Sequence, residues 1–332
     1  MLPSFLCIGA QKAGTSWLFA QLHSHPGVWV PPIKEVHYFN HLFVPENRKW
    51  TKWHIRSSTV SAVKTYVARN EDLHFPYLQY LVDLGSNEVF TEGWYRRVFD
   101  LPAAAGKVVG DMTPEYSTIP DEGIRYLRGL LGAPKIVYLI RSPVSRALSQ
   151  LKMNVSRTVK GHLTEADWLA QAEQWDIANR GDYKTYVPRW KAHFAEADIL
   201  FVPYGRIAKD PGGVMRDVEG FLGLGAHDYP RLVERVHKTR SFDVPRSVTA
   251  RLEEKLAPQA DFLAAEFGAD FASRNAAWGA SFSSSRAVTL FGTSKLRVLC
   301  TRSTRRGYSC CGRPRKASIS RITPPGSLAM RP

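Results

Sequence analysis

The sequence predicts an α/β domain built on a central, mainly parallel sheet. Three observations carry that reading. Short apolar runs stop at glycine, proline or a charge; helical spacing fills the stretches between them; and the two patterns alternate along most of the chain. Phe5-Leu6-Cys7-Ile8-Gly9 is the first run and reads as a buried strand entering a turn. Thr15 to Leu22 opens with two hydroxyl residues, as helices do, and His25-Pro26-Gly27 closes it. Val28-Trp29-Val30 reads as a second short strand before Pro31-Pro32. Residues 41–100 are aromatic and basic with weak periodicity, which suits helices and loops over the sheet.

Lys107-Val108-Val109-Gly110 and Lys135 to Ile140 are further buried strands, with helical spacing from Asp121 to Leu131 between them. Pro143 sits at a first-turn position for a helix running to about Met153. Helical patterns follow over Glu165–Asn179 and Tyr186–Ala195, then a strand over Ile199–Val202. Helices over Pro211–Leu222 and Ser247–Phe267 complete the pattern, and no internal repeat is present.

The chain has 332 residues, 44% hydrophobic and 23% charged, which excludes a wholly disordered or fibrous protein. Its formal charge of +15 looks like a nucleic-acid signal until it is divided. Residues 281–332 hold 11 Lys and Arg and no acid, leaving 34 basic against 30 acidic residues in 1–280, a net of +4. The expected organisation is therefore a domain over 1–280 and a basic Ser/Arg/Pro-rich tail over 281–332. The tail has too little apolar surface to offset its ordering entropy. A disordered extension is the plain reading of it, a polyanion-binding arm the sharper one. No nucleic-acid partner is indicated for the body.

Cys7 is the body's only cysteine, and the spacing of Cys300, Cys310 and Cys311 matches no common zinc pattern. No apolar run approaches the roughly 20 residues that span a bilayer. Phe5 to Ala10 meets Gln11-Lys12 too soon for a secretory leader. A reduced, cytoplasmic protein without a transmembrane segment is expected; oligomeric state is not readable.

The chemistry starts at Gly9-Ala10-Gln11-Lys12-Ala13-Gly14-Thr15-Ser16-Trp17. Successive N–H groups in such a strand–turn–helix, with the positive end of the helix dipole, make an anion site. Gly14 allows close backbone approach, Thr15 and Ser16 offer hydroxyls, and Lys12 brings a mobile charge. This is not a Walker A loop, whose lysine follows the glycine directly. The order Lys-x-Gly-Thr-Ser resembles the phosphosulfate-binding loop of sulfotransferases, which use 3′-phosphoadenosine 5′-phosphosulfate (PAPS) as donor. The resemblance implies a P-loop-like three-layer sandwich, with Lys12, Ala13, Gly14, Thr15, Ser16 and Trp17 binding the donor.

A second segment, Ile136 to Gln150, resembles the family's 3′-phosphate motif: Arg141 after a buried strand and Ser149 eight residues on. Arg binds phosphate through paired N–H donors, and Ser adds a neutral one. Alone, an Arg-x-Pro often only caps a strand end. A third segment, Lys34-Glu35-Val36-His37-Tyr38-Phe39, resembles the Glu-Val-His-Phe-Phe stretch of heparan-sulfate-type sulfotransferases. That resemblance makes Glu35 the general base for an acceptor hydroxyl or amine, with His37 orienting it. A surface carboxylate paired with Lys34 and a packed loop histidine are the ordinary alternatives.

Trp94-Tyr95 and Asp111-Met112-Thr113-Pro114-Glu115-Tyr116 resemble further family elements, but Met112 stands where the family has a lysine. Either Lys12 then does more, or another base, Lys152 or Arg240, compensates. Lys238 and Arg240 fall where the family has a basic loop over the donor. The family's late disulfide is absent from the body. The resemblance covers about residues 4–280 and implies sulfuryl transfer to a carbohydrate or glycolipid-like acceptor, with no metal. Trp50, Trp53, Tyr66, Tyr77, Tyr80 and Trp94 lie among many bases, a composition that suits a sugar or acidic glycan but more often belongs to a core. Two other classes stay open: a nucleotide kinase-like phosphotransferase, and a polyanion-binding protein acting through the tail.

Overall fold

The computed structural model describes residues 1–159, 161–234 and 242–274; Lys238, Arg240 and the 281–332 tail lie outside the described residues. Five strands form one parallel sheet: β1 (Phe5–Gly9), β2 (Val28–Trp29), β3 (Val108–Met112), β4 (Lys135–Ile140) and β5 (Ile199–Pro203). Their order is β2-β3-β1-β4-β5. Phe5 stands opposite Gly110 on one side and Lys135 on the other. Every residue of β1 is buried, as is β4 from Ile136 to Ile140. A strand covered on both faces loses the polar alternation of a half-exposed one, which is why these runs read as continuous apolar stretches. Gly110 serves packing: a side chain there would meet the Phe5 ring at 2.1 Å.

Thirteen α-helices among the described residues fill the connections. Between β1 and β3 lie α1 (Thr15–Ser24), α2 (Tyr38–Phe43), α3 (Arg48–Arg69), α4 (Phe75–Leu84) and α5 (Glu92–Val98). A 3-10 turn (Pro114–Thr118) and one α-helix, α6 (Asp121–Leu131), join β3 to β4. Four helices precede β5: α7 (Pro143–Thr158), α8 (Glu165–Ala172), α9 (Trp175–Asn179) and α10 (Tyr183–His193). After it come α11 (Tyr204–Lys209), α12 (Pro211–Leu222) and α13 (Arg246–Arg274), the last interrupted at Gly268. The sheet flanked by helices is the expected P-loop-like α/β sandwich. No helix of the described residues is long and apolar enough to cross a membrane.

Boundaries moved where local pattern was weakest. β3 runs past Gly110 to Met112. The helical stretch over 165–179 is two helices, the first opened by a capping box between Thr164 and Asp167. The helix expected from Tyr186 begins at Tyr183 and carries Pro188 inside it. The weakly periodic 41–100 stretch holds α3, a helix of 22 residues.

The strand order positions the site. From β1 the chain leaves toward β2 and β3; from β4 it leaves toward β5. Beyond the carboxyl ends of β1 and β4 the two connections part, and such a crevice is where open parallel sheets bind ligands. Residues 10–14 follow β1 there, and Arg141 follows β4. The Ala10 N–H donates to the Leu139 carbonyl at 2.7 Å, tying the two strand ends together.

Candidate active site

A cleft of about 1810 Å³ opens over that crevice. Lys12, Gly14, Thr15, Ser16, Trp17, Glu35, Arg141 and Ser149 all line it. Ala13 is buried, and the Ala13 N–H closes the turn on the Ala10 carbonyl at 3.0 Å. Gly14 is the N-cap of α1 at φ 94°, and no side chain caps that helix start. A side chain at position 14 would also meet Ile207 Cδ1 at 2.6 Å. Uncapped N–H groups at the start of α1 therefore face a cleft, the arrangement that favours an anion.

Lys12 is held at φ 71°. Its ammonium lies 3.4 Å from Met153 Sδ on α7. Burial, then the Arg141 and Arg157 cations, push its pKa down to about 8. The Lys12 carbonyl accepts from Arg141 Nη1 at 2.8 Å, so loop and arginine form one unit. Arg141 also donates from Nε and Nη2 to Ser145 Oγ at 3.1 and 2.9 Å, and lies 4.4 Å over the Tyr204 ring. Ser149 stands one turn beyond Ser145 on α7.

Glu35 enters from the segment before α2. Lys34 Nζ lies 2.9 Å from its Oε1, and His37 Nε2 lies 3.3 Å from its Oε2. Burial works to raise the Glu35 pKa, but Lys34 and His37 hold it well below the ordinary carboxylate range. His37 does not line the cleft; it is buried, with Nδ1 3.1 Å from Asn40 Oδ1. Lys12, Glu35 and His37 are three of four non-glycine residues with left-handed backbone among the described residues. Such conformations persist only where surrounding contacts fix them.

For Glu35 and His37 that fixation comes from the Asp111–Tyr116 segment. The Val36 N–H donates to Thr113 Oγ1 at 2.9 Å, and Thr113 Oγ1 donates to Asp111 Oδ1 at 2.7 Å. Tyr95 and Tyr116 hydroxyls donate to Asp111 Oδ2 at 3.1 and 2.8 Å. The Tyr38 N–H donates to the Tyr116 hydroxyl at 3.0 Å. Burial pushes the Asp111 pKa up to about 6 against these bonds. The residues around Trp94-Tyr95 and Asp111–Tyr116 thus stand behind the site and shape it.

Met112 is buried and lies outside the cleft lining. Lys152, expected as a compensating base, does not line the cleft either. On a helix, neighbours in sequence point about 100° apart, and Met153 takes the inward position. Arg240 and Lys238 lie outside the described residues. The cations that do line the cleft beside Lys12 and Arg141 are Lys34, Arg69, Arg157 and Arg180.

Sequence reasoning missed Arg157 and Arg180 as site residues. Arg157 follows Ser149 by eight residues on α7, a spacing that signals a shared face. Arg180 gives no such signal, because its partners are assembled by the fold. It donates to buried Glu115 Oε1 at 3.0 Å and to Asp176 Oδ2 at 3.1 Å. Asp176 also accepts from Gln150 and Asn154 at 3.0 Å each. Among the aromatics, Trp94 is buried, whereas Trp53 is 71% exposed in the cleft.

Comparison with known proteins agrees with this geometry. Mouse heparan sulfate glucosamine 3-O-sulfotransferase 6 is 28% identical over 137 residues, 40% of this chain and 39% of that protein. Mouse bifunctional heparan sulfate N-deacetylase/N-sulfotransferase 4 is 24% identical over 242 residues, 68% of this chain and 23% of that protein. The matched parts thus span well under half the length of these curated relatives. The crystal structure of a sulfotransferase from Alicyclobacillus acidocaldarius shares the fold, with a TM-score of 0.56 and 23% identity over 83% of this chain and 100% of that one. Residues 3–228 match the model of the sulfotransferase family, and the chain belongs to that family of transferases of sulfur-containing groups.

Proposed function

We propose that this protein transfers the sulfuryl group of PAPS to a hydroxyl or amine of a carbohydrate-like acceptor. One observation carries the reading. The uncapped start of α1, the Arg141–Ser149 pair and an ionised glutamate share a single cleft. The residues suit a doubly phosphorylated donor: helix N–H groups without a capping side chain, six cations lining the same cleft, and a buried Gln11 Oε1 left without a partner. Gly14, Thr15 and Ser16 would hold the 5′-phosphate, and Arg141 with Ser149 the 3′-phosphate.

Sulfuryl transfer, like phosphoryl transfer, asks mainly for positioning and charge stabilisation. Lys12 meets the charge that develops on the leaving phosphate oxygens. Glu35 is ionised before an acceptor arrives, so it is ready to take a proton, but its ion pair makes it a weak base. An anionic sulfuryl group competes with Glu35 for Lys34, and loss of that partner raises the basicity of Glu35 when the donor is in place. His37 keeps the carboxylate aimed.

Titration of the full chain with 3′,5′-ADP, ATP and heparin tests the reading. Tight 3′,5′-ADP binding that ATP does not match, with no magnesium requirement, supports it. Magnesium-dependent ATP binding favours a nucleotide kinase-like protein, and heparin binding that falls steeply with salt favours a polyanion binder. An acceptor screen with labelled PAPS then defines the substrate.

A further inference from the structure

Large apolar side chains that face water are unevenly spread over this molecule. Among the described residues eight stand exposed, and five of them lie on the hairpin of α3 and α4. They are Trp53, Val60, Val67, Phe75 and Val82, each at least 47% exposed. Single exposed apolar residues are ordinary, but a group of them marks a surface that meets a partner.

The two helices are antiparallel neighbours. Tyr66 packs on Tyr77 with ring centroids 4.9 Å apart, and a side chain at Gly85 would meet Thr59 at 3.1 Å. Trp53, Val60 and Val67 recur every seven residues, which puts them on one stripe about 21 Å long at 1.5 Å per residue. Phe75 and Val82 repeat the spacing on α4. Thr51, Ile55 and Thr59 mark the buried side of α3, and Leu81 and Leu84 that of α4, so both stripes face outward. Trp53 also lines the cleft, so this surface borders its mouth.

Charge on the same surface is not neutralised. The α3 helix carries six Lys and Arg and no acid, and none of the six enters an ion pair among the described residues. On α5, by contrast, Arg96 and Arg97 are paired with Glu92 and Glu88. Lys49, Arg56 and Lys64 stand exposed along the Trp53 stripe. The hairpin's three acids, Glu71, Asp72 and Asp83, leave residues 48–84 with a net charge of +3. An anionic partner fits this surface. Lysine is depleted where proteins meet proteins, yet Lys49 and Lys64 stand among the apolar side chains here. A protein partner also concentrates contact in a central cluster, whereas these side chains are spread along two lines. Tryptophan and aliphatic side chains edged by cations suit the headgroup boundary of a bilayer, where lysine stems lie along apolar surface and their charges reach the phosphates.

We propose that the outer face of the α3–α4 hairpin docks on an anionic lipid surface. Trp53, Val60, Val67, Phe75 and Val82 enter the headgroup layer, and Lys49, Arg56 and Lys64 meet the lipid phosphates. The mouth of the cleft is thereby held at the membrane. Docking does not depend on sulfuryl transfer, so either reading can fail alone.

The full chain is mixed with vesicles of phosphatidylcholine, alone or with phosphatidylglycerol, and sedimented. Vesicles carrying brominated phosphatidylcholine report tryptophan that enters the lipid. Binding is expected with phosphatidylglycerol only, and to fall with salt. Lys49→Gln with Arg56→Gln and Lys64→Gln is expected to weaken it about a hundredfold, with an unchanged thermal melt. Trp53→Phe is expected to keep binding and lose most of the bromolipid quenching. Val60→Ser with Val67→Ser is expected to reduce both.

The basic 281–332 tail holds no tryptophan, so binding through it alone would leave quenching absent and the triple Gln variant unaffected. Either result overturns the proposal. So do equal binding to both kinds of vesicle and quenching that survives Trp53→Phe. Equally tight binding of soluble polyglutamate, lost in the triple Gln variant, overturns it in favour of an acidic protein partner.

Discussion

At one end of the cleft, a dozen residues of contiguous chain turn from β1 into α1 and present their backbone. At the other end, the wall is the flank of α3 and a carboxylate whose own segment is braced by the Asp111–Tyr116 segment. The first surface is made of N–H groups that any sequence with the right turn can supply. The second is made of side chains whose direction depends on how a helix is rotated in the fold. The contrast shows that an anion-favouring turn can be local, whereas the surface around Glu35 is assembled at long range.

The largest expected effect tests the long-range end. Glu35→Gln should lower kcat by about 10²–10⁴-fold, the usual worth of a general base, with 3′,5′-ADP affinity nearly intact. Near-normal turnover would remove Glu35 from the chemistry. At the local end, Lys12→Ala should lower kcat by about 10²–10³-fold, or ~3–4 kcal/mol of barrier. A loss of donor affinity alone would make Lys12 a binding residue only.

Two structural changes separate the ends further. Gly14→Ala forces a strained backbone and a contact with Ile207, and should cost about 1–3 kcal/mol of stability together with donor affinity, read by thermal melts and 3′,5′-ADP titration. Thr113→Val removes the acceptor of the Val36 N–H and a donor to Asp111. It should cost about 1–3 kcal/mol and lower kcat through Glu35 while leaving donor affinity unchanged.

The pH profile sharpens the same comparison. Glu35 stays ionised to below the ordinary carboxylate range, so kcat/KM for the donor should be flat on the acid side to below about pH 4.5. Lys12 loses its proton near pH 8, so the alkaline limb should fall there and should be absent in Lys12→Arg. The stability term has the opposite sense. The folded chain releases this proton more readily than the unfolded one, so the Lys12 penalty is full below pH 8 and is relieved as pH rises toward 10.5. Smallest of all, Lys152→Ala should change activity and stability little, by about 0.5 kcal/mol or less.

Much of the fold was legible because parallel strands buried on both faces leave unbroken apolar runs. β1, β4 and β5 and the helices α1, α6 and α12 fall within a residue or two of where those runs and their caps put them. The α3 region was not legible in detail, because a helix with three different surroundings shows no single apolar stripe.

The sequence by itself determined the α/β class, the strand–turn–helix at Gly9–Trp17, the Arg141–Ser149 spacing and the Glu35 segment, since each is local backbone chemistry written in adjacent residues. Only the tertiary structure decided that Met112 and Lys152 stand aside while Arg157 and Arg180 line the cleft. It alone decided that Asp111 and Thr113 hold the Glu35 segment. Those outcomes depend on which faces of distant elements meet, and facing is set by packing, not by order along the chain.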